Sequence, residues 1–200
     1  MRFYVSALPI LLLSSPVSTA QIIHPAPKPN PIVPVANVIA KGEGNWDSVN
    51  RGRAGDTPGG IKSLTGKTFS QHTVGEVKSL QRSRVYAVGR YQFIPSTLSY
   101  AVQKAGVQAS ERFTPEVQNR LLQALLDHKR PSIGAYIRGE HNNLDLALRA
   151  MALEWSSIAW TNGRSYYGGS NRAYVTRHEA GVALRRARDL YSGSPTETSQ

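Results

Sequence analysis

The chain has no cysteine among its 200 residues. A disulfide framework is therefore excluded, and in an exported protein stability must rest on an ordinary packed core. A domain of about 150 residues buries enough surface for that. Long apolar runs are also missing. The stretch Val5 to Leu13 is the most apolar, but a bilayer-spanning helix takes roughly 20 residues, and Pro9 and Pro16 interrupt this region. No stable membrane span is expected. The histidines at 24, 72, 128, 141 and 178 are scattered, without the paired spacing of a metal site. Neither a metal nor another cofactor is expected. Acidic residues are scarce: 13 Asp and Glu stand against 24 Lys and Arg, a formal net charge of +11. Such a charge favours polyanions, whether nucleic acid, an anionic membrane or a bacterial wall with its carboxylates and phosphates.

What is present divides the chain into four parts. Arg2, the apolar stretch, and the small residues Ser18 and Ala20 before Gln21 read as a secretory signal peptide over residues 1–20. Residues 21–36 alternate proline with other residues from His24 to Pro34, a pattern that opposes helix and favours an extended linker. A folded domain is expected over 37–191 and a polar, frayed tail over 192–200. Periplasmic or secreted localisation follows from the signal. Export argues against nucleic acid as a partner and for the wall.

Within the domain, helical signals dominate. Thr73-Val74-Gly75-Glu76 is a capping box, placing a helix over about 74–81. Pro95 starts a helix that Gly106 stops, and Thr114-Pro115-Glu116 starts another that ends at Arg130-Pro131. Ser132 to Arg138 is a short helix closed by Gly139, and Asn143 caps one bearing Leu148 and Met151. The last helix is expected over about 172–191, with Val175, Val182, Leu184 and Leu190 turned inward. Asn45 to Gly66 is rich in Asn, Asp, Gly and Arg and reads as a long loop or short-strand lobe, with Thr68-Phe69-Ser70 as one short strand. The fold class is mainly α (α+β), a helical lobe with a small irregular or β lobe.

Two segments carry candidate chemistry. Glu43 closes a short apolar segment in Ala40-Lys41-Gly42-Glu43-Gly44-Asn45-Trp46. A carboxyl at the carbonyl end of a helix, among apolar neighbours, is held protonated more easily than one in water. The second segment is Gly89-Arg90-Tyr91-Gln92-Phe93-Ile94-Pro95-Ser96-Thr97, a Gly, aromatic and Gln stretch that leads into a helix. Together they resemble the goose-type lysozyme and lytic transglycosylase superfamily. Its members join a helix ending in one catalytic Glu to a later G-x-x-Q-h-h-P-x-T segment (h, hydrophobic). The likeness is to the phage lambda endolysin type, where Gly-Arg-Tyr-Gln fills that slot. Thr65-Gly66-Lys67-Thr68-Phe69-Ser70, Glu154-Trp155-Ser156-Ser157 and Tyr166-Tyr167-Gly168-Gly169 follow the order of further segments in that type. The Ser that often follows the acid in bacterial transglycosylases is Gly44 here, and their Ala-Tyr-Asn-Ala-Gly element is absent.

The resemblance implies a lysozyme-like fold acting on the MurNAc–GlcNAc backbone of peptidoglycan. Glu43 would be general acid and base. Gln92, Tyr91 and Tyr167 would contact substrate, Asn50 would orient Glu43 or the sugar, and Trp46 and Trp155 would be aromatic walls or core. A lytic transglycosylase can use one Glu twice, whereas a hydrolytic muramidase adds a second carboxylate in most glycosidases. Asp47 is near in sequence and is one candidate; Asp56, in Gly55-Asp56-Thr57-Pro58-Gly59-Gly60, reads first as a turn residue. Single-Glu transglycosylation is the first expectation and hydrolysis the second. The Pro-rich spacer suits an enzyme tethered to an envelope-spanning secretion or conjugation machine. A wall-binding module with a structural Glu43 is the non-enzyme rival.

Overall fold

A computed structural model describes residues 30–193. The signal peptide, residues 21–29 of the linker and residues 194–200 of the tail lie outside the described residues. The described chain is mainly helical, with one two-stranded sheet.

The first helix, α1, spans Val33–Glu43. It begins inside the segment expected to be extended. Pro34 falls in its first turn, where a missing N–H leaves no hydrogen bond unmade and the fixed φ suits a helix. Residues 33–36 thus belong to the domain rather than the linker. Val35, Ala36 and Ile39 are buried, and Gly44 ends the helix at φ 144° while its N–H reaches Ala40 O.

The small lobe follows. Strand β1 (Val49–Asn50) pairs antiparallel with β2 (Ala87–Val88), Val49 opposite Val88 and Asn50 opposite Ala87. Between them lie a 3-10 turn at Gly52–Ala54, helix α2 (Gly60–Thr65), a second 3-10 turn at Phe69–Gln71 and helix α3 (Val74–Gln81). Helix α2 occupies part of the expected loop. The expected strand at 68–70 is instead the second 3-10 turn. Thr68 and Gln71 cap it reciprocally, and Asp47 Oδ1 accepts from Phe69 N–H at 2.6 Å. Local capping outcompetes the strand preference of Thr and Phe.

The helical lobe contains α4 (Pro95–Ala105), α5 (Pro115–Ala124) with a π-helical turn at Leu125–Lys129, α6 (Pro131–Ile137), α7 (Leu144–Glu154) and α8 (Arg177–Ser192). The capping residues Thr73, Thr114 and Asn143 all accept from the backbone N–H three residues on. Helix α8 starts later than expected, because Thr176 and Glu179 form a capping box, and it runs to Ser192 before Gly193 turns left-handed. Its inner face also differs. Val182 is exposed, and Ala180, Gly181, Ala183, Leu184 and Ala187 are buried. These small side chains let α8 lie close against α1, α6 and α7.

An aromatic column joins the lobes. Trp46, Tyr91, Phe93, Phe113 and Phe69 meet edge to face in succession, with centroids 6.1, 5.9, 6.3 and 5.2 Å apart. Leu98, Leu121, Leu122, Leu125 and Leu126 pack around the same core without exposure above 1%.

Candidate active site

Glu43 is the last residue of α1, so its backbone is fixed by the packing of Ile39 and Ala36 below it. Its Oε1 accepts a 2.5 Å hydrogen bond from Ser157 Oγ, a residue 114 positions away in sequence. Burial pushes the Glu43 pKa up from the ordinary carboxylate value. Hydrogen bonds from the Ser157 side chain and backbone pull it part of the way back, and the negative charge of Asp56 adds to the rise. Desolvation wins because it penalises only the ionised form. The result is a carboxyl poised to hold a proton and still oriented by a donor.

The approach of Ser157 depends on Gly42. A Cβ at that position would stand 2.4 Å from Ser157 Oγ and 2.5 Å from its Cβ. Ser157 is itself held by β-like contacts, with Tyr174 and Val175 donating to its carbonyl at 2.8 and 2.9 Å. Two residues earlier, Trp155 is buried and its Nε1 donates to Tyr91 O at 3.2 Å. The segment Trp155–Ser157 thus links the Glu43 end of α1 to the Gly89–Thr97 run. Trp155 as core agrees with one of its two expected roles. Ser157 as the partner of Glu43 was not singled out in the sequence, where only the Trp-Ser-Ser order marked it.

Gln92 sits in a strained turn. It is the one non-glycine residue with positive φ among the described residues, at 47°, a conformation that persists when its surroundings impose it. Here the side-chain Nε2 donates to Gly89 O at 2.8 Å and Ser48 O at 3.3 Å. Gly89 N–H also donates to Ser48 O at 2.8 Å. The Gln92 turn is thereby fastened to Ser48, just before β1 in the chain that follows Glu43. Gln92 also lines a small cavity of ≈ 110 Å³ with Thr97, Lys129, Arg130, Glu154 and Tyr167. Tyr167 OH donates to Leu153 O at 2.7 Å at the rim. Glu154 is buried there against Lys129 Nζ at 2.6 Å and Arg130 Nε at 2.9 Å. It is an ion-paired strut, a role its place beside Trp155 did not reveal.

Several expected site residues have other duties. Tyr91 is 1% exposed, its ring packed between Trp46 and Phe93 and its OH donating to Asn119 Oδ1 at 2.6 Å. Burial pushes its pKa up to about 12. Its ring belongs to the core, and Tyr91 also lines the small cavity with Gln92 and Tyr167. Trp46 is half-buried, with its edge on Tyr91 and the Arg90 guanidinium 4.4 Å from its ring centre, so a cation covers the ring. Asn50 gives its amide to Asp56 Oδ1 at 2.8 Å and receives Gly52 N–H at 2.7 Å. It orients Asp56 and not Glu43.

The two carboxylate candidates exchange rank. Asp47 accepts from Phe69 N–H, and its carbonyl accepts from Ile61 N–H at 2.9 Å; it is a structural tie across the small lobe. Asp56 is exposed, is bonded by a side chain rather than by its own turn, and acts electrostatically on Glu43. A groove of ≈ 430 Å³ runs alongside, between Asn45–Ser48 and Thr57–Gly60.

No helix among the described residues is long and apolar enough to cross a membrane. Searches of protein-family models, curated proteins and solved structures found no match to this chain.

Proposed function

We propose that the chain is a lysozyme-like, peptidoglycan-cleaving enzyme that breaks the β-1,4 bond between MurNAc and GlcNAc as a lytic transglycosylase. The observation that carries this reading is Glu43: a carboxyl at a helix end, its pKa raised by burial, with Ser157 holding one oxygen. The Gln92 turn, fastened to Ser48, supports it by bringing the second motif to the chain that leaves Glu43.

In this mechanism protonated Glu43 gives its proton to the glycosidic oxygen as the C1–O bond breaks. The resulting carboxylate then takes the proton of the muramic 6-hydroxyl, whose oxygen bonds to C1. The product is a 1,6-anhydro sugar, Glu43 is again protonated, and no water is consumed. Ser157 keeps the carboxyl in one orientation through both steps. The basic chain, at +11, is held to an anionic wall by long-range attraction.

A hydrolytic muramidase is the second reading, favoured by one observation: Asp56 lies close enough for its charge to raise the Glu43 pKa. Mass spectrometry of fragments released from purified peptidoglycan separates the two. Anhydromuramyl ends from the wild type, and none from Glu43→Gln, are expected. Reducing, hydrated ends would assign Asp56 the activation of water. Wall binding without any fragments would leave a binding module.

A further inference from the structure

The arginines fall into partnered and unpartnered sets. In the helical lobe Arg120, Arg130, Arg138, Arg149 and Arg177 each pair with a carboxylate. In the small lobe Arg51, Arg53 and Arg84 are exposed and, among the described residues, form no ion pair. Arg51 and Arg53 flank Gly52, whose open side faces Tyr86: a Cβ there would stand 3.9 Å from Tyr86 Cβ. Tyr86 is 48% exposed and its N–H is tied to Asn50 O at 2.7 Å. Arg84 lies two residues before it. Three unpaired guanidiniums and an exposed ring therefore share one tip of the small lobe.

This tip continues into the candidate site. The same loop that carries Arg51 and Arg53 begins at Asn50 and ends at Asp56, whose charge reaches Glu43. Other exposed arginines without an ion pair among the described residues, such as Arg164 and Arg172 in the loop before α8 and Arg185 and Arg186 on α8, lie outside the loop over residues 50–56, and the last two share their helix with Asp189.

We infer that the tip formed by Arg51, Arg53, Arg84 and Tyr86 is a docking surface for the carboxylate-bearing stem peptides of the glycan strand. This rests on the peptidoglycan reading above and narrows it to peptide-bearing substrate. Planar guanidiniums match carboxylates, and the Tyr86 ring offers a stacking face. A single exposed pair contributes little, but repeated peptides along one strand engage several contacts together.

The test is co-sedimentation with purified peptidoglycan at low and moderate salt, all variants carrying Glu43→Gln so that binding is read without turnover. One batch keeps its stem peptides and one has them removed by an amidase. Arg51→Ala/Arg53→Ala/Arg84→Ala should bind intact wall roughly tenfold more weakly, given three exposed pairs, and stripped wall unchanged. Lysine at the same three positions should restore only part of the binding, because an ammonium supplies the charge without the planar fork. Lys104→Ala/Arg185→Ala/Arg186→Ala, which removes equal charge elsewhere, should bind both like its parent. Equal loss on both walls, or equal loss in the Lys104/Arg185/Arg186 control, would overturn the proposal. So would unchanged wall binding with weakened retention of duplex DNA. Absence of fragments from the chain with Glu43 intact would end the cleavage reading alone, because the intact-to-stripped binding ratio does not depend on it.

Discussion

The two lobes are built by different means. The helical lobe is specified by apolar burial: Leu121, Leu122, Leu125, Leu126 and Ile133 are all at or below 1% exposure, and capping residues set its helix starts. Between residues 45 and 66 the small lobe buries few side chains of any size, Val49 and Ile61 among them. It is held instead by side chains that bond distant backbone. Asp47 holds Phe69, Gln81 donates to Tyr86 O and Phe93 O at 2.8 Å each, and Gln118 donates to Trp46 O at 3.1 Å. The candidate site lies where the two meet, with Glu43 on a packed helix and Asp56 on a polar loop. A rigid acid beside a loop fixed by hydrogen bonds is a division suited to chemistry on one side and substrate shape on the other.

The largest expected effect concerns the rigid side. Glu43→Gln keeps the acceptor for Ser157 but removes the proton, and cleavage should fall by about 10²–10⁴-fold, the usual contribution of a positioned acid and base. Its stability should move the other way. The folded-state pKa of Glu43 lies above 4.5, so between 4.5 and that raised value the folded chain binds more protons than the unfolded one. Stability from this group is present below 4.5 and is lost as pH rises through the folded pKa. Gln cannot ionise, so Glu43→Gln should match the wild type in Tm at low pH and exceed it at neutral pH. Equal Tm differences at both pH values would show that burial does not govern Glu43.

Next come paired variants on α5, one in the apolar core of the helical lobe and one that ties the small lobe to it. Leu121→Ala should destabilise by about 2–5 kcal/mol through lost transfer energy and a cavity, and should do so globally. Gln118→Leu should cost about 1–3 kcal/mol per buried group left unpaired. Gln118 is fully buried and serves Arg90 N–H, Trp46 O and Phe113 O. Its loss should appear first as faster amide exchange over residues 44–50 and 89–92, with helices α5 to α8 still protected. Uniform exchange in both variants would erase the distinction between the lobes.

That distinction also explains what could be read in the sequence. Helices α3 to α7 follow from periodic apolar residues and local caps, which act within a few residues. The start of α1 at Val33 was hidden by Pro34, and the start of α8 by the Tyr/Gly loop before Thr176. In the small lobe the deciding bonds span 22 residues for Asp47 with Phe69 and 72 for Gln118 with Trp46; no local pattern encodes them. The site divides likewise. Glu43 and Gln92 stand out by motif, while the choice between Asp47 and Asp56 depends on which carboxylate a distant N–H claims. The sequence makes Tyr91 a substrate contact and leaves Trp46 as wall or core, because aromatic residues serve both, and only packing decides between the two.

The smallest effect tests the joint itself. Ser157→Ala removes a donor that stabilises ionised Glu43, so the Glu43 pKa should rise further above its ordinary value. The alkaline limb of the pH profile of kcat/KM, which reports loss of the proton from the free enzyme, should move to higher pH. The fall in kcat at the optimum should be modest beside that of Glu43→Gln, because the backbone N–H of Ser157 still donates. Gly42→Ala should reproduce the shift without replacing either polar group, since its Cβ must displace Ser157. A merely structural Ser157 would lower Tm and leave the limb in place. A limb that moves to lower pH would mean that Ser157 favours the protonated acid, and the proton economy assigned to Glu43 would have to be reversed.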